Sequence, residues 1–118
     1  MSARTDLADA LRTALPAGWR VIASDVAGTV GKPTVLVYRA EVTHRGEGGL
    51  RDNTLTVVVV GPKQIDPDDD LDGYLDDVLD VLDATPLPVA WTTAERSVYD
   101  DTFPAYKITT TMTTRDEA

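Results

Sequence analysis

The pattern of apolar and polar positions changes period several times along the chain, and each change predicts an element. Leu7, Ala10, Leu11, Ala14 and Leu15 recur at helical spacing after a cap at Ser2 or Thr5. Pro16-Ala17-Gly18 ends the run, so a short amphipathic helix is expected there with those five residues on its core face. Residues 19–23 read as a strand, and 25–33, with Gly28 and Gly31, as a loop. Residues 34–42 and 54–60 are rich in β-branched side chains, and the segment between them is Gly-rich and charged. Two antiparallel strands joined by an extended hairpin follow from that pattern. Because 57–60 is valine throughout, that strand is expected to be central, with helices on one face and another surface, such as a neighbouring subunit, on the other.

A second helix is written in residues 66–83, where nine aspartates surround an apolar stripe. Leu71, Leu75, Val78, Leu79 and Leu82 recur at i, i+4, i+7, i+8 and i+11, and Asp72, Asp76, Asp80 and Asp83 fall on the opposite face. The spacing predicts a docked helix with an acidic back, in which a carboxylate at Leu75 or Leu79 would abolish folding. Like charges at i,i+4 cost about 0.2–0.5 kcal/mol per pair, and Asp83 sits at the unfavourable end of the helix dipole, so stability alone does not select this pattern. Thr85-Pro86-Leu87-Pro88 closes the helix. Two strands follow, over 89–99 and 105–114. In the last, Tyr106, Ile108 and Met112 alternate with Lys107, Thr109, Thr111 and Thr113, so one face is buried and one polar. The order α-β-β-β-α-β-β predicts an α+β fold, with a mainly antiparallel sheet of about five strands and two helices on one face.

Length and charge narrow the function classes. A chain of 118 residues is expected to form one domain, 1–118, and to bury about two-thirds of its unfolded surface. A formal net charge of −9 disfavours grip on nucleic-acid phosphates or an anionic membrane, since both would repel it. There is no cysteine, hence no disulfide framework, thiolate nucleophile or Cys-type zinc site. The N-terminal residues 1–6 lack the apolar run of a secretion signal, and no apolar stretch is long enough to span a bilayer. A soluble species is the expectation.

The candidate chemistry is thin. Asp68-x-Asp70-x-Asp72-Gly73 matches the first half of a calcium loop, but the position that should supply the bidentate carboxylate is Leu79. No metal site is expected there. Gly28-Thr29-Val30-Gly31-Lys32-Pro33-Thr34 brushes against a phosphate loop, yet Val26 stands where its first glycine should be, and Pro33 displaces the required hydroxyl. His44 is the only histidine, and Ser2, Ser24 and Ser97 lack the sharp-turn setting of a nucleophile. Asp100-Asp101 lies in a turn where Asp is common. No catalytic residue is assigned.

Four segments together carry a family resemblance: the first helix ending in Leu15-Pro16-Ala17-Gly18-Trp19-Arg20-Val21-Ile22, the strand 32–37, the helix from Asp69 to Asp83, and the hairpin from Val89-Ala90-Trp91-Thr92 to Pro104-Ala105-Tyr106-Lys107-Ile108-Thr109. In that order the chain resembles the tail-terminator (tail-completion) proteins of long-tailed phages of actinobacteria. The resemblance implies a structural virion protein, assembled in the host cytoplasm, that forms a homo-hexameric ring on the head-proximal end of the tail tube. Such a ring ends tube growth and offers a joining surface to the head-closure or connector protein, with DNA passing through unbound. It implies neither a reaction nor a cofactor, and the Gly46-Glu47-Gly48-Gly49 tip has no counterpart in it. The candidate partner-interface residues are His44, Arg45 and Glu47 at the hairpin tip and Asp100 and Asp101 in the later turn, because charged turn tips add little to a core and can reach a neighbour. Two alternatives share the composition: a head-side neck protein, and a small acidic module that binds a basic partner through Asp72, Asp76 and Asp80.

Overall fold

The computed structural model describes residues 3–24, 32–44, 49–62, 67–99 and 103–115, leaving out the side chains of 67–69 and 115. Its elements are α1 (Ala3–Ala14), β1 (Arg20–Ile22), β2 (Thr34–His44), β3 (Leu50–Val60), α2 (Pro67–Ala84), β4 (Val89–Tyr99) and β5 (Phe103–Arg115). They form one five-stranded sheet in the order β1-β2-β3-β5-β4, antiparallel except where β1 runs parallel to β2. This is the α+β fold expected from the pattern, in the expected order. Strand β3 is central, and its valines alternate between two apolar layers.

On one face Val35, Val37, Leu55, Val57, Val59, Ile108 and Met112 meet the buried sides of both helices. Helix α2 seats Val78 and Leu82 in this layer, with Tyr74, Leu75, Leu79 and Val81 half-buried around them, and its Leu71 is fully buried beside Gly61. The expected acidic back is present, since Asp72, Asp76, Asp80 and Asp83 are all exposed. Leu75 and Leu79, expected deep in the core, lie at its margin, because the helix leans its 71–78–82 line onto the sheet. Helix α1 is rotated relative to expectation. It buries Ala3, Leu7, Ala8 and Leu11, followed by Leu15, and leaves Ala10 half-buried and Ala14 exposed. An alanine adds too little apolar area to dictate a helix face, so the leucines set the rotation.

Gly18 ends the turn after α1 at φ 103°, a left-handed conformation that a side chain would strain. Trp19 then stands edge-on to Tyr74, with ring centroids 5.4 Å apart, and joins the α1–β1 corner to α2. Gly61 follows β3 beneath α2, where a Cβ would meet Leu71 Cδ1 at 3.5 Å and the Tyr74 ring at 3.7 Å, ordinary contact distances.

The opposite face carries no helix among the described residues. Leu36, Val58, Val60 and Ala105 are nonetheless buried there, with Ile22, Tyr38, Tyr99 and Phe103 packed against them. The burial of the second side of 57–60 therefore needs no further surface. The large rings of neighbouring strands shield these small side chains within the chain itself. Beyond Met112, where β4 begins, β2, β3 and β5 run on together as an extension to His44, Leu50 and Arg115. Bulges at Ala40 and Thr92 interrupt the β2–β3 and β4–β5 registers.

Buried polar groups leading into this extension are paired across strands. Asn53 Nδ2 donates to the Met112 carbonyl at 3.0 Å and to Thr114 Oγ1 at 2.9 Å, and Thr110 Oγ1 donates to the Leu55 carbonyl at 3.0 Å. These bonds fix the β3–β5 register where hydrophobic packing thins out.

Candidate functional site

Of the residues singled out as a partner interface, His44 is the one among the described residues. His44 ends β2 opposite Arg51, which in turn pairs with Thr114 of β5. Asp100 and Asp101 lie outside the described residues, as do Arg45 and Glu47, but their flanks Tyr99 and Phe103 pair at the other end of β5. From Phe103 to Thr114 is about 36 Å at roughly 3.3 Å per residue. In a molecule of 51 × 26 × 23 Å, the two hairpin ends therefore face opposite directions along the long axis. One partner of ordinary size would meet one end or the other.

The acidic helix is tied to the sheet through its own carboxylates, which the sequence reading missed. Asp72 Oδ1 accepts a hydrogen bond from the Tyr106 hydroxyl at 2.9 Å, and Asp83 Oδ1 accepts one from Trp91 Nε1 at 2.9 Å. The two contacts anchor α2 near both ends, to β5 and to β4. Deprotonating Tyr106 would break its bond and set a phenolate beside Asp72, so its pKa lies above the ordinary 10.0, with desolvation adding to the rise. Arg96, 5.8 Å from the Tyr106 ring centroid, pulls the other way. With Asp72 engaged in this way, the acidic face left to water on α2 is centred on Asp76, Asp77 and Asp80.

The half-matched calcium motif falls within α2 from Pro67 onward. In helical turns, positions two apart point in divergent directions, so Asp70 and Asp72 do not wrap a common ion. Among the described residues, no group of three or more His, Asp or Glu side chains is placed to hold a metal. None of the helices among them is long and apolar enough to cross a membrane. The phosphate-loop-like segment lies largely outside the described residues, and Lys32 and Pro33 lead directly into β2.

Two concavities are lined by described residues. A groove of about 610 Å³ runs between the outer sides of α1 and α2, with a mainly apolar lining that includes Ala10, Ala14, Val81 and Leu87. A smaller hollow of about 240 Å³ opens on the helix-free face among Leu36, Tyr38, Val58, Ser97, Tyr99 and Lys107. There Lys107 is exposed and stands opposite Glu95 on the neighbouring strand.

Compared with known proteins, the chain matches no family model and none of the curated proteins. Among the described residues, the sheet leaves β1 and β4 each paired on one side, and an apolar groove lies between α1 and α2. The groove is a feature the sequence reading did not find. Its signal in the sequence is the surplus of alanines on α1, which helical spacing assigns to the core face.

Proposed function

We propose that this protein is a structural component of a phage virion that caps the head-proximal end of the tail tube as a hexameric ring, ending tube growth and presenting a surface to the head's connector. The observation that carries the reading is the far end of the β2–β3 pair, in which residues 39–44 of β2 are exposed while their backbone stays paired to β3. Beyond Met112, where β4 begins, only β2, β3 and β5 continue, and this solvated end adds little to the core. It is suited to reach a neighbouring subunit or the tube. Edge strand β4 adds to this, because its eleven residues pair on one side only within the chain, whereas the other edge, β1, has three. A long open edge is a template for pairing between subunits.

Charge fits the same reading. Six copies at −9 each would place roughly fifty negative charges around a bore, which lets DNA pass without holding it. Head-to-tail pairing of unlike surfaces closes a ring when the rotation per copy is right, and a tube end can act as the template.

Electron microscopy of lysates from a phage lacking the protein tests the proposal. DNA-filled heads beside unjoined, overlong tails are expected, with joining restored by added protein. Tails of normal length joined to heads would overturn it. Normal free tails beside leaking heads would assign the chain to the head side of the joint instead.

A further inference from the structure

The groove between α1 and α2 is apolar along its floor and acidic along its rim. Ala10, Ala14, Val81, Ala84, Pro86 and Leu87 supply the apolar part. The charged residues lining it are Asp6, Asp9 and Asp80, with no Lys or Arg among them. We infer that this groove docks a basic amphipathic helix of a protein partner, whose apolar stripe seats on the alanine floor while flanking Lys or Arg side chains meet Asp6, Asp9 and Asp80.

The apolar stripe of α1 is wider than the chain itself covers. Leu7 and Leu11 go to the core, and Ala10 and Ala14, at the spacing of a second contact line, are left to the groove. Alanine on both walls lets another helix approach closely. The size agrees as well. From Asp6 to Thr13 the groove follows α1 for about 10 Å, close to two helical turns, and its volume lies within the range of sites that bury a ligand. A helix laid into an apolar groove is a recurrent mode of recognition and needs only such a short run of anchors.

Charge selects the sign of the partner. Helix α2 has no basic residue, and Asp80 lies toward its C-terminal end, where the dipole disfavours a carboxylate. Neither Asp6 nor Asp80 has a hydrogen-bond or ion-pair partner among the described residues. Asp9 is bridged by Arg12 at 2.6 Å, and Arg12 also donates to the Val21 carbonyl at 3.1 Å, on the side of α1 toward β1. A cation from outside would relieve Asp6 and Asp80, the two rim carboxylates without a partner among the described residues. A second copy is a poor occupant, since each carries −9 and would bring like charge to like. The inference stands apart from the ring reading.

The test uses the full chain and a set of synthetic helical peptides about fourteen residues long, with Leu at i, i+3, i+4 and i+7 and either Lys, Gln or Glu at the flanking positions. Binding is followed by calorimetry and by backbone resonance shifts. The Lys peptide is expected to bind one-to-one, at least tenfold tighter than the Gln peptide, and to shift Ala10, Ala14, Val81 and Ala84. The Glu peptide should not bind. The exposed change Ala84→Trp fills the groove and should abolish binding at an unchanged melting temperature. The pair Asp6→Lys with Asp80→Lys should invert the order of Lys and Glu peptides, which a general loss of structure would not do. Equal binding of the Lys and Glu peptides, shifts centred on Asp76 or on the Tyr38–Tyr99 hollow, or no binding at millimolar peptide would overturn the inference. So would self-association of the free chain that shifts the same four residues.

Discussion

At the scale of single residues, the bonds that matter are those which periodicity does not announce. Asn53 lies in a stretch that reads as part of a charged connection, yet it is buried and donates two hydrogen bonds to β5. Asn53→Ala removes both and leaves the Met112 carbonyl and Thr114 hydroxyl short of a partner. A loss of about 1–3 kcal/mol is expected, read as a lower midpoint in a urea titration at unchanged slope. Tyr106 gives a prediction in pH. Its pKa is raised in the folded state above 10.0, so the folded protein keeps the proton longer than the unfolded chain does. The stabilisation from the Asp72 contact is therefore complete below pH 10 and is lost as pH climbs through the raised value. Urea titrations between about pH 9 and 11.5 should show a shallower alkaline decline for Tyr106→Phe than for the parent. Parallel declines would show that the contact is not maintained in solution.

At the scale of elements, α2 separates the depth of a position from its place in the stripe. Val78 is fully buried and Leu79 half-buried, although both fit the same helical spacing. Val78→Asp strands a carboxylate in the core and should prevent folding, whereas Leu79→Asp can turn its charge to water and should leave a folded chain with a lowered melting temperature. Circular dichroism melts distinguish the two, and equal loss would place the helix in a different rotation. On the acidic back, Asp76→Asn relieves repulsion with Asp72 and Asp80 at i,i±4. A gain of a few tenths of a kcal/mol is expected at low ionic strength, fading as salt is added. Both results follow from one arrangement, in which leucines and valines set the seat of the helix and the aspartates tolerate whatever face remains.

For the whole molecule, the division between a buried end of β2 and β3 and an exposed β2–β3 extension predicts where damage will be felt. Residues 39–44 are exposed, and the fully buried valines lie at the other end of β2 and β3. Shortening the tip from His44 to Gly49 should change the melting temperature by only a few degrees, because little apolar area is lost. The same variant should fail to restore head–tail joining in a deletion lysate if the extension is the docking element. Full restoration would move the contact to the opposite hairpin end or to the β4 edge. Addition of millimolar calcium should leave the melting temperature unchanged, since α2 continues through the half-motif instead of looping around an ion.

Strand and helix identity, their order and the acidic back of α2 were legible in the sequence, because each rests on a period that the chain repeats over many residues. The last strand shows this well: the expected alternation around Ile108 and Met112 is what the sheet displays, with Thr110 as a buried, hydrogen-bonded member of the same row. Rotation was less legible. Which alanines of α1 meet the core depends on how Leu7 and Leu11 find the sheet, and small side chains carry too little transfer free energy to register their own preference. Pairings between distant residues were not legible at all. Asn53 with Thr114, Asp72 with Tyr106 and Asp83 with Trp91 join positions that sequence order keeps apart, and nothing in their local pattern marks a partner. The sequence by itself thus determined the elements and their charge, since propensity and periodicity act within a few residues. Only the tertiary structure decided that the valine strand shields both its faces within the chain, that the two hairpin ends face apart, and that two helices leave an acid-rimmed groove between them, because each of these depends on the sheet bringing remote side chains into one place.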